Sequence, residues 1–514
     1  MCGEGQFKQK QSELAQLGGS LLFFFLLSVV FCGDPRGDLF TCLGGHPVAM
    51  HRGVRQLVLL GAACSGAGAF LAPSSHVGIL PARRAGCVRE LRTRSSTTLA
   101  MQEAKFDKRA ERRRIVAGEN FNRRGFGETK EEVAGKMGGE FGSSLVAQFK
   151  ENKGVISRNG VTVKLAEYYG FCWGAERAVA MAMEARSFYP DDTMHITNEI
   201  LHNPEVNNRL EGMGINFVPQ EGGKTGQKDW SGINEGDVVI LPAFGASLTE
   251  MQLLEQKKAR IVDTTCPWVS KVWNAVDSHR KKDMTTILHG KYKHEEAIAT
   301  ASMAEDYLMV LNMDEAKYVT NYILNGGDRE EFMAKFKNAV SAGFDPDIHL
   351  KKVGIANQTT MYKEETAAIA KLFERTMLKK VGPKEVNEHF MALDTICDAT
   401  QERQDAVADL LKDDSIDMFL VVGGWDSSNT AHLLELVEME GKVGYHIAQA
   451  DNVREDGSIE HRLMDGSIAV TNDFLKGVKN IGLTSGASTP DKFMENAVER
   501  VFMLKALEHD LSKA

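Results

Sequence analysis

The stretch ARIVDTTCPWVSKVWNAV, residues 259–276, carries the plan on which the chain is built. A short run with β-branched residues leads into a polar turn, the turn ends on Cys266, and apolar residues at helical spacing follow at once. The same plan recurs in KLAEYYGFCWGAERAVAMAM (164–183) around Cys172 and in MALDTICDATQERQDAVADL (391–410) around Cys397. The cysteines stand 94 and 131 residues apart, intervals close to the size of one small α/β domain. Unrelated core cysteines have no reason to share one position in three units. In open α/β sheets, ligands bind beyond the carboxyl ends of the strands, where all three thiols would sit.

From Val161 onward, short apolar runs alternate with longer segments of helical period. Strands are predicted at 161–165, 237–241, 259–262, 285–288, 307–311, 353–356, 418–422 and 480–483. Helices are predicted at 175–186, 268–281, 361–378, 400–411, 430–440 and 491–504. This alternation predicts an α/β protein with mainly parallel sheets, arranged as three small lobes around one centre. The expected division is a leader at 1–100, an N-terminal extension at 101–160 and lobes at 161–266, 267–396 and 397–514. The first strand of the first lobe is a candidate to join the last lobe instead. The extension is polar and mixed in charge, and reads as helical or loosely packed.

The 514 residues have the composition of a soluble globular protein, with 43% hydrophobic and 25% charged residues. Residues 1–100 carry a net charge of +5 within a total of −9, so the remainder carries −14. An acidic body argues against nucleic acid as a partner, since phosphate backbones need a basic face.

The first hundred residues read as an address and not as fold. Gly18–Cys32 is an apolar run shorter than the ~20 residues of a membrane span, so no stable span is expected in the mature form. A second apolar run at Leu57–Leu71 follows basic residues and ends in Gly66-Ala67-Gly68-Ala69, the grammar of a secretory signal. The chain then becomes rich in Arg and Ser/Thr to about Ala100, as transit peptides are. Together these resemble the bipartite leader of a plastid reached through the secretory route, with Met50 as an alternative start. Five of the eight cysteines lie in this leader, leaving Cys172, Cys266 and Cys397 for the body. Three widely spaced cysteines make a disulfide framework improbable.

Converging thiolates suit a metal centre of one of two kinds. Structural zinc takes four ligands, so three cysteines would need a histidine beside them. A 4Fe–4S cluster that only carries electrons takes four thiolates; held by three, it keeps one iron open to substrate. Other polar turns follow strand-like runs: His202-Asn203-Pro204, His294-Glu295-Glu296, Asn357-Gln358-Thr359-Thr360, Gly423–Asn429 and Thr484–Pro490. The last two enter helices and could cradle a phosphate, although Ser and Asn there also serve as N-caps. Neither has Walker A or GxGxxG spacing, so nucleotide binding is not indicated. His294 with Glu296 makes a candidate proton-transfer pair. Thr359 or Thr360 is expected to cap a helix beginning near Met361.

GFCWGAERAV (170–179), ILHNPEVNNRL (200–210), LPAFGAS (241–247), DTTCPWVSKVW (263–273), HGKYKHEEAIAT (289–300), NQTTM (357–361), DTICDATQERQDAV (394–407), GGWDSSNT (423–430) and SGASTPD (485–491) occur in this order. Together they resemble the 4-hydroxy-3-methylbut-2-enyl diphosphate reductases, the LytB or IspH proteins, in their plant and cyanobacterial branch. The resemblance runs from about Phe106 to the C-terminus. It implies three α/β lobes in pseudo-threefold arrangement around one 4Fe–4S cluster per chain, with Cys172, Cys266 and Cys397 as ligands and one open iron. It implies reductive removal of the substrate's hydroxyl as water, giving isopentenyl and dimethylallyl diphosphate, the last step of the non-mevalonate pathway. By motif match, His202, His294, Ser427, Ser428, Asn429 and Ser488 hold the diphosphate, Glu296 supplies the proton and Thr359 relays it. Bacterial members carry His-Gly where this chain has Phe244-Gly245, so a hydrogen-bond donor is lost there.

Two other readings compete with this one. Another three-cysteine 4Fe–4S dehydratase would share the cluster but would not need the HxE, SSN and GAS turns together. A non-catalytic α/β protein stapled by zinc would share only the cysteines. Plastid stroma as the location favours ferredoxin as the external one-electron donor, since no flavin or nicotinamide motif suggests an internal one.

Overall fold

The computed structural model describes residues 31–33, 39–41, 106–221 and 226–513. The chain divides into two units, Met1–Leu99 and Ala100–Ala514. In the first, Phe31–Gly33 pairs antiparallel with Leu39–Thr41. The signal at Leu57–Leu71 and the transit-like stretch after it lie outside the described residues, as does the apolar run Gly18–Cys32 except for its last two residues. No helix among the described residues is long and apolar enough to cross a membrane.

The second unit is an α/β structure built on three sheets, two of them wholly parallel. The first sheet has the strand order Phe121–Asn122, Arg260–Asp263, Val238–Leu241, Met194–Ile196, Ile215–Phe217. The second runs Tyr307–Val310, Thr285–His289, Val353–Asn357, Phe390–Ala392. The third runs Ile468–Thr471, Ile459–Arg462, Gly444–Ile447, Met418–Val422, Asn480–Ser485, Val161–Leu165, Val155–Arg158, with antiparallel pairs toward both edges. Val161–Leu165 thus pairs with Asn480–Ser485, joining the strand before Cys172 to the C-terminal part of the chain.

Central strands show why the apolar runs were readable. Val238–Leu241, Thr285–His289, Val353–Asn357 and Met418–Val422 are buried at every position. A parallel strand covered by helices on both faces needs an unbroken apolar run, not alternation. Large side chains such as Phe332, Phe373 and Phe419 are fully buried, each contributing about 1.5–3 kcal/mol of transfer free energy. The strands missed by pattern, such as Met194–Ile196 and Ile215–Phe217, are only three residues long, too short to display a period.

The segment 101–160 is more than a loose extension. It forms helices Lys108–Val116, Lys130–Phe141 and Ser144–Glu151, and gives Phe121–Asn122 to the first sheet and Val155–Arg158 to the third. Val133, Met137, Phe141, Leu145, Val146 and Phe149 are buried, an i, i+4, i+8 stripe in one helix and a short apolar face in the next.

The three sheets meet through their polar turns. Asn203 donates from Nδ2 to the Ser488 carbonyl at 3.0 Å, tying first to third. Thr360 presents its carbonyl to His432 Nδ1 at 2.8 Å, tying second to third. First and second are tied between helices instead, Trp273 Nε1 of Pro267–Lys281 donating to Thr300 Oγ1 of Glu295–Met303 at 3.1 Å. Gly424 sits where a Cβ would come 2.1 Å from the His202 carbonyl oxygen, a backbone atom that cannot swing away. Gly424→Ala is therefore expected to destabilise the fold by about 1–3 kcal/mol. Gly138→Ala, mid-helix with nothing near the new methyl, should stabilise by about 0.5–1 kcal/mol. Denaturant unfolding of the two variants beside the parent checks both signs.

Candidate functional site

Each cysteine is the N-cap of a helix: Cys172 of Trp173–Phe188, Cys266 of Pro267–Lys281 and Cys397 of Asp398–Leu411. Each donates its main-chain N–H to a carbonyl in the turn after a neighbouring parallel strand. The acceptors are Ala487 at 2.9 Å, Ala243 at 2.9 Å and Thr359 at 3.3 Å. Those turns follow Asn480–Ser485, Val238–Leu241 and Val353–Asn357, the strand beside each cysteine-bearing strand in its own sheet. On the far side of each of these middle strands lies a third strand, whose turn carries Ser427–Asn429, His202 or His294–Glu296 respectively. The same three-strand unit thus appears three times, and one cavity is lined by residues from all nine turns, including the three cysteines.

Burial disfavours the thiolate form at two of these positions. Burial pushes the Cys266 thiol up to about 11, with the neighbouring Cys172 adding repulsion against the N–H groups of Trp268 and Val269. Burial likewise pushes Cys397 up to about 12, with both other cysteines repelling its charge. Three mutually repelling thiolates facing one space are stable only around a cationic centre, and loading one would release their protons. The space is kept open by Gly174, where a Cβ would lie 2.6 Å from Cys266 Sγ and 3.9 Å from Cys172 Sγ. The donor set and the clearance fit a thiolate-bound metal centre. No disulfide joins any of the three.

Opposite the thiols stands a hydrogen-bonding shell. His294 caps the helix Glu295–Met303, and its Nδ1 accepts the Glu296 N–H at 3.1 Å. That bond fixes the neutral tautomer with the proton on Nε2, and complete burial holds its pKa well below the usual histidine range. Glu296 accepts twice from one residue: Thr359 N–H at 2.6 Å and Thr359 Oγ1–H at 2.9 Å. Burial nevertheless outweighs these bonds and lifts the carboxyl to about 7. His202 is buried, with Nδ1 on Glu199 Oε2 at 3.0 Å and its Nε2 without a hydrogen-bond partner. Ser428 Oγ and Asn429 Nδ2 are likewise buried and unpartnered, while Asn429 Oδ1 accepts from Ala487 N–H at 2.9 Å. Unpartnered buried donors converging at the start of helix Ser428–Met439 are what an anion requires.

The LytB protein family matches residues 163–502 of this chain. A 4-hydroxy-3-methylbut-2-enyl diphosphate reductase of Picosynechococcus sp. is 54% identical over 402 residues, 78% of this chain and 98% of the relative. The enzyme of the same name from Nostoc sp. is 53% identical over 78% of this chain and 99% of its own length. Among solved structures, the E-1-hydroxy-2-methyl-but-2-enyl-4-diphosphate reductase from Plasmodium falciparum matches with a TM-score of 0.49 and 24% identity, over 66% of this chain and 86% of that one.

This chain belongs to the LytB family.

Within this LytB chain all the sequence-predicted site residues line the one cavity: the cysteines, His202, His294, Glu296, Thr359, Ser427, Ser428, Asn429 and Ser488. Ser427 also caps its helix, accepting from Thr430 N–H at 3.2 Å and Thr430 Oγ1 at 2.9 Å, which leaves its own proton to donate. The expectation that Thr359 or Thr360 caps the next helix is corrected. That helix spans Lys363–Val381 with Tyr362 as N-cap, while Thr359 serves Glu296 and Thr360 Oγ1 accepts from Gln358 Nε2.

The Phe244 ring stacks on His202 at 4.4 Å with 26° between planes, and meets His294 edge-on at 5.6 Å. It is a platform that orients both histidines. Glu199 and Glu295 escaped the sequence reading, although a carboxylate three residues from His202 was a visible signal. Glu295 Oε2 stands 3.5 Å from His202 Nε2, and its Oε1 accepts from Asn198. His202, His294 and Glu295 also bring three possible ligand atoms within 4.8 Å of one another.

The carboxyl of Glu296 has a consequence for stability. Its folded-state pKa lies above the ordinary 4.5, so burial favours the neutral form. That contribution is intact below about pH 4.5 and is lost as the pH rises through about 7, roughly 3 kcal/mol at full ionisation. Glu296→Gln should therefore match the parent at pH 4 and exceed it in stability at pH 8.5, as measured by urea unfolding at the two pH values.

Proposed function

We propose that this chain reduces 4-hydroxy-3-methylbut-2-enyl diphosphate to isopentenyl and dimethylallyl diphosphate, the last step of the non-mevalonate route to isoprenoids. The observation that carries this reading is the meeting, in one cavity, of three N-capping cysteines, the Glu296–Thr359 pair and a shell of unpartnered donors. Cys172, Cys266 and Cys397 would hold one 4Fe–4S cluster, which when bound supplies electrons and an open iron for the substrate's hydroxyl.

The remaining steps belong to the protein's own groups. His294 offers Nε2–H, His202 its Nε2, and Ser427, Ser428, Asn429 and Ser488 their side-chain donors to the diphosphate oxygens. Most of these donors are buried and preorganised, so little ordering entropy is lost when the anion arrives. Glu296, titrating near neutrality, holds a proton it can also release, the condition for effective general acid catalysis. Its contact with the Thr359 hydroxyl gives that proton a path toward the departing oxygen, which leaves as water. The external donor we infer is ferredoxin, in a plastid stroma reached through the leader's two signals. The cyanobacterial relatives are in keeping with a plastid enzyme.

The test is anaerobic turnover of the diphosphate with a one-electron donor, alongside iron and sulfide content. Cys172→Ser, Cys266→Ser and Cys397→Ser should each lose most of both. Glu296→Gln should lower turnover by about 10²–10⁴-fold with iron content and substrate affinity little changed. His294→Ala should raise KM as well as slow the reaction, because it removes a donor to a highly charged group. Full activity in any cysteine variant that keeps its iron would remove that cysteine from the shared site.

A further inference from the structure

The three cysteines face a second cavity on another side. It shares the three cysteines, Gly174, Trp268 and Ala399 with the substrate pocket and is otherwise walled by groups such as Tyr169, Trp173 and Arg403. Arg403 sits in the second turn of the helix that Cys397 caps and is 3% exposed. Its guanidinium bridges two of the cysteine-bearing units. Nη1 donates to the Ala399 carbonyl at 2.8 Å, in the first turn after Cys397. Nη2 donates to the Tyr169 and Gly170 carbonyls at 3.1 and 2.8 Å, in the turn leading to Cys172. Nε is buried with no partner.

Every one of these partners is a neutral carbonyl, yet the guanidinium does not lose its proton inside a protein. A buried cation whose hydrogen bonds all go to dipoles is disfavoured unless anions stand near. Burial disfavours the charged form of Arg403, and the groups that favour it are Cys172 and Cys397 first, then the carboxylates of Glu402 and Asp491.

We propose that Arg403 is a positioning residue that clamps the Cys172 turn to the Cys397 helix and presents a fixed positive charge to the thiolate-bound iron–sulfur group. Adding one electron from the external donor makes that group one unit more negative, with no bond made or broken. A fixed cation beside it stabilises the reduced state more than the oxidised one, and so raises the reduction potential. The inference rests on the cluster assignment made above.

The experiment is an EPR-monitored redox titration of the full chain, reconstituted anaerobically, as parent, Arg403→Gln and Arg403→Lys. Iron and sulfide analysis of the parent comes first; a parent without them defeats the cluster assignment itself and this inference with it. With the parent loaded, Arg403→Gln should disfavour reduction by about tenfold, a shift of about 59 mV to more negative potential for one electron. Arg403→Lys keeps the charge while losing the fork of hydrogen bonds, and should hold the parent's potential. An unshifted potential in Arg403→Gln, or an equal shift in both variants, would overturn the proposal and leave Arg403 a purely structural clamp. Should Arg403→Gln fail to retain the cluster, Arg403→Lys decides. A loaded lysine variant at the parent's potential supports the charge role, and one that is shifted or empty refutes it.

Discussion

The fold depends on one small bond made three times: a cysteine N–H donating to the carbonyl of the turn beside it. Parallel pairing brings the carboxyl ends of neighbouring strands to the same edge, and that bond then locks each cysteine turn against its neighbour. At Cys172 the helix N-terminus also holds the sulfur, Ala175 N–H donating to Sγ at 3.3 Å. All three thiols are placed by the helix starts they cap. The chemistry of the site is a property of sheet edges more than of individual side chains.

That repeat explains how the functional groups are shared out. Within each sheet the middle strand's turn and the third strand's turn carry residues of different character: Phe244 with His202, Thr359 with His294 and Glu296, Ser488 with Ser427–Asn429. The first and third units hold most of the donors proposed for the diphosphate. The second holds the carboxyl and its hydroxyl partner. Phe244 shows how tightly the parts are coupled, since its ring lies against both histidines at once.

Much of this was legible before any coordinates. Repetition of strand, cysteine and helix gave away the three-fold plan, because each helix starts at its cysteine, although the strand before Cys397, Phe390–Ala392, is short and only partly buried. Met418–Val422 was placed to the residue, being a five-residue run buried on both faces. Phe121–Asn122 and Val155–Arg158 were not, because a two-residue strand has no period and Val155–Arg158 is an edge strand with only Ile156 buried. The residues singled out by a chemical signature in their own turn do meet in one cavity. Glu199, Glu295 and Arg403 reach across turns or lie behind the thiols, and only three-dimensional proximity marks them.

The central claim is that three cysteines from three equivalent turns hold one centre whose remaining face is turned to the diphosphate pocket. Mössbauer spectroscopy of the anaerobically reconstituted protein, with and without the diphosphate substrate, tests it most directly. The account predicts a 4Fe–4S signal in which one iron is distinct from the rest, and in which that iron alone responds when substrate is added. A cluster of equivalent irons, a spectrum indifferent to substrate, or zinc in place of iron would contradict it.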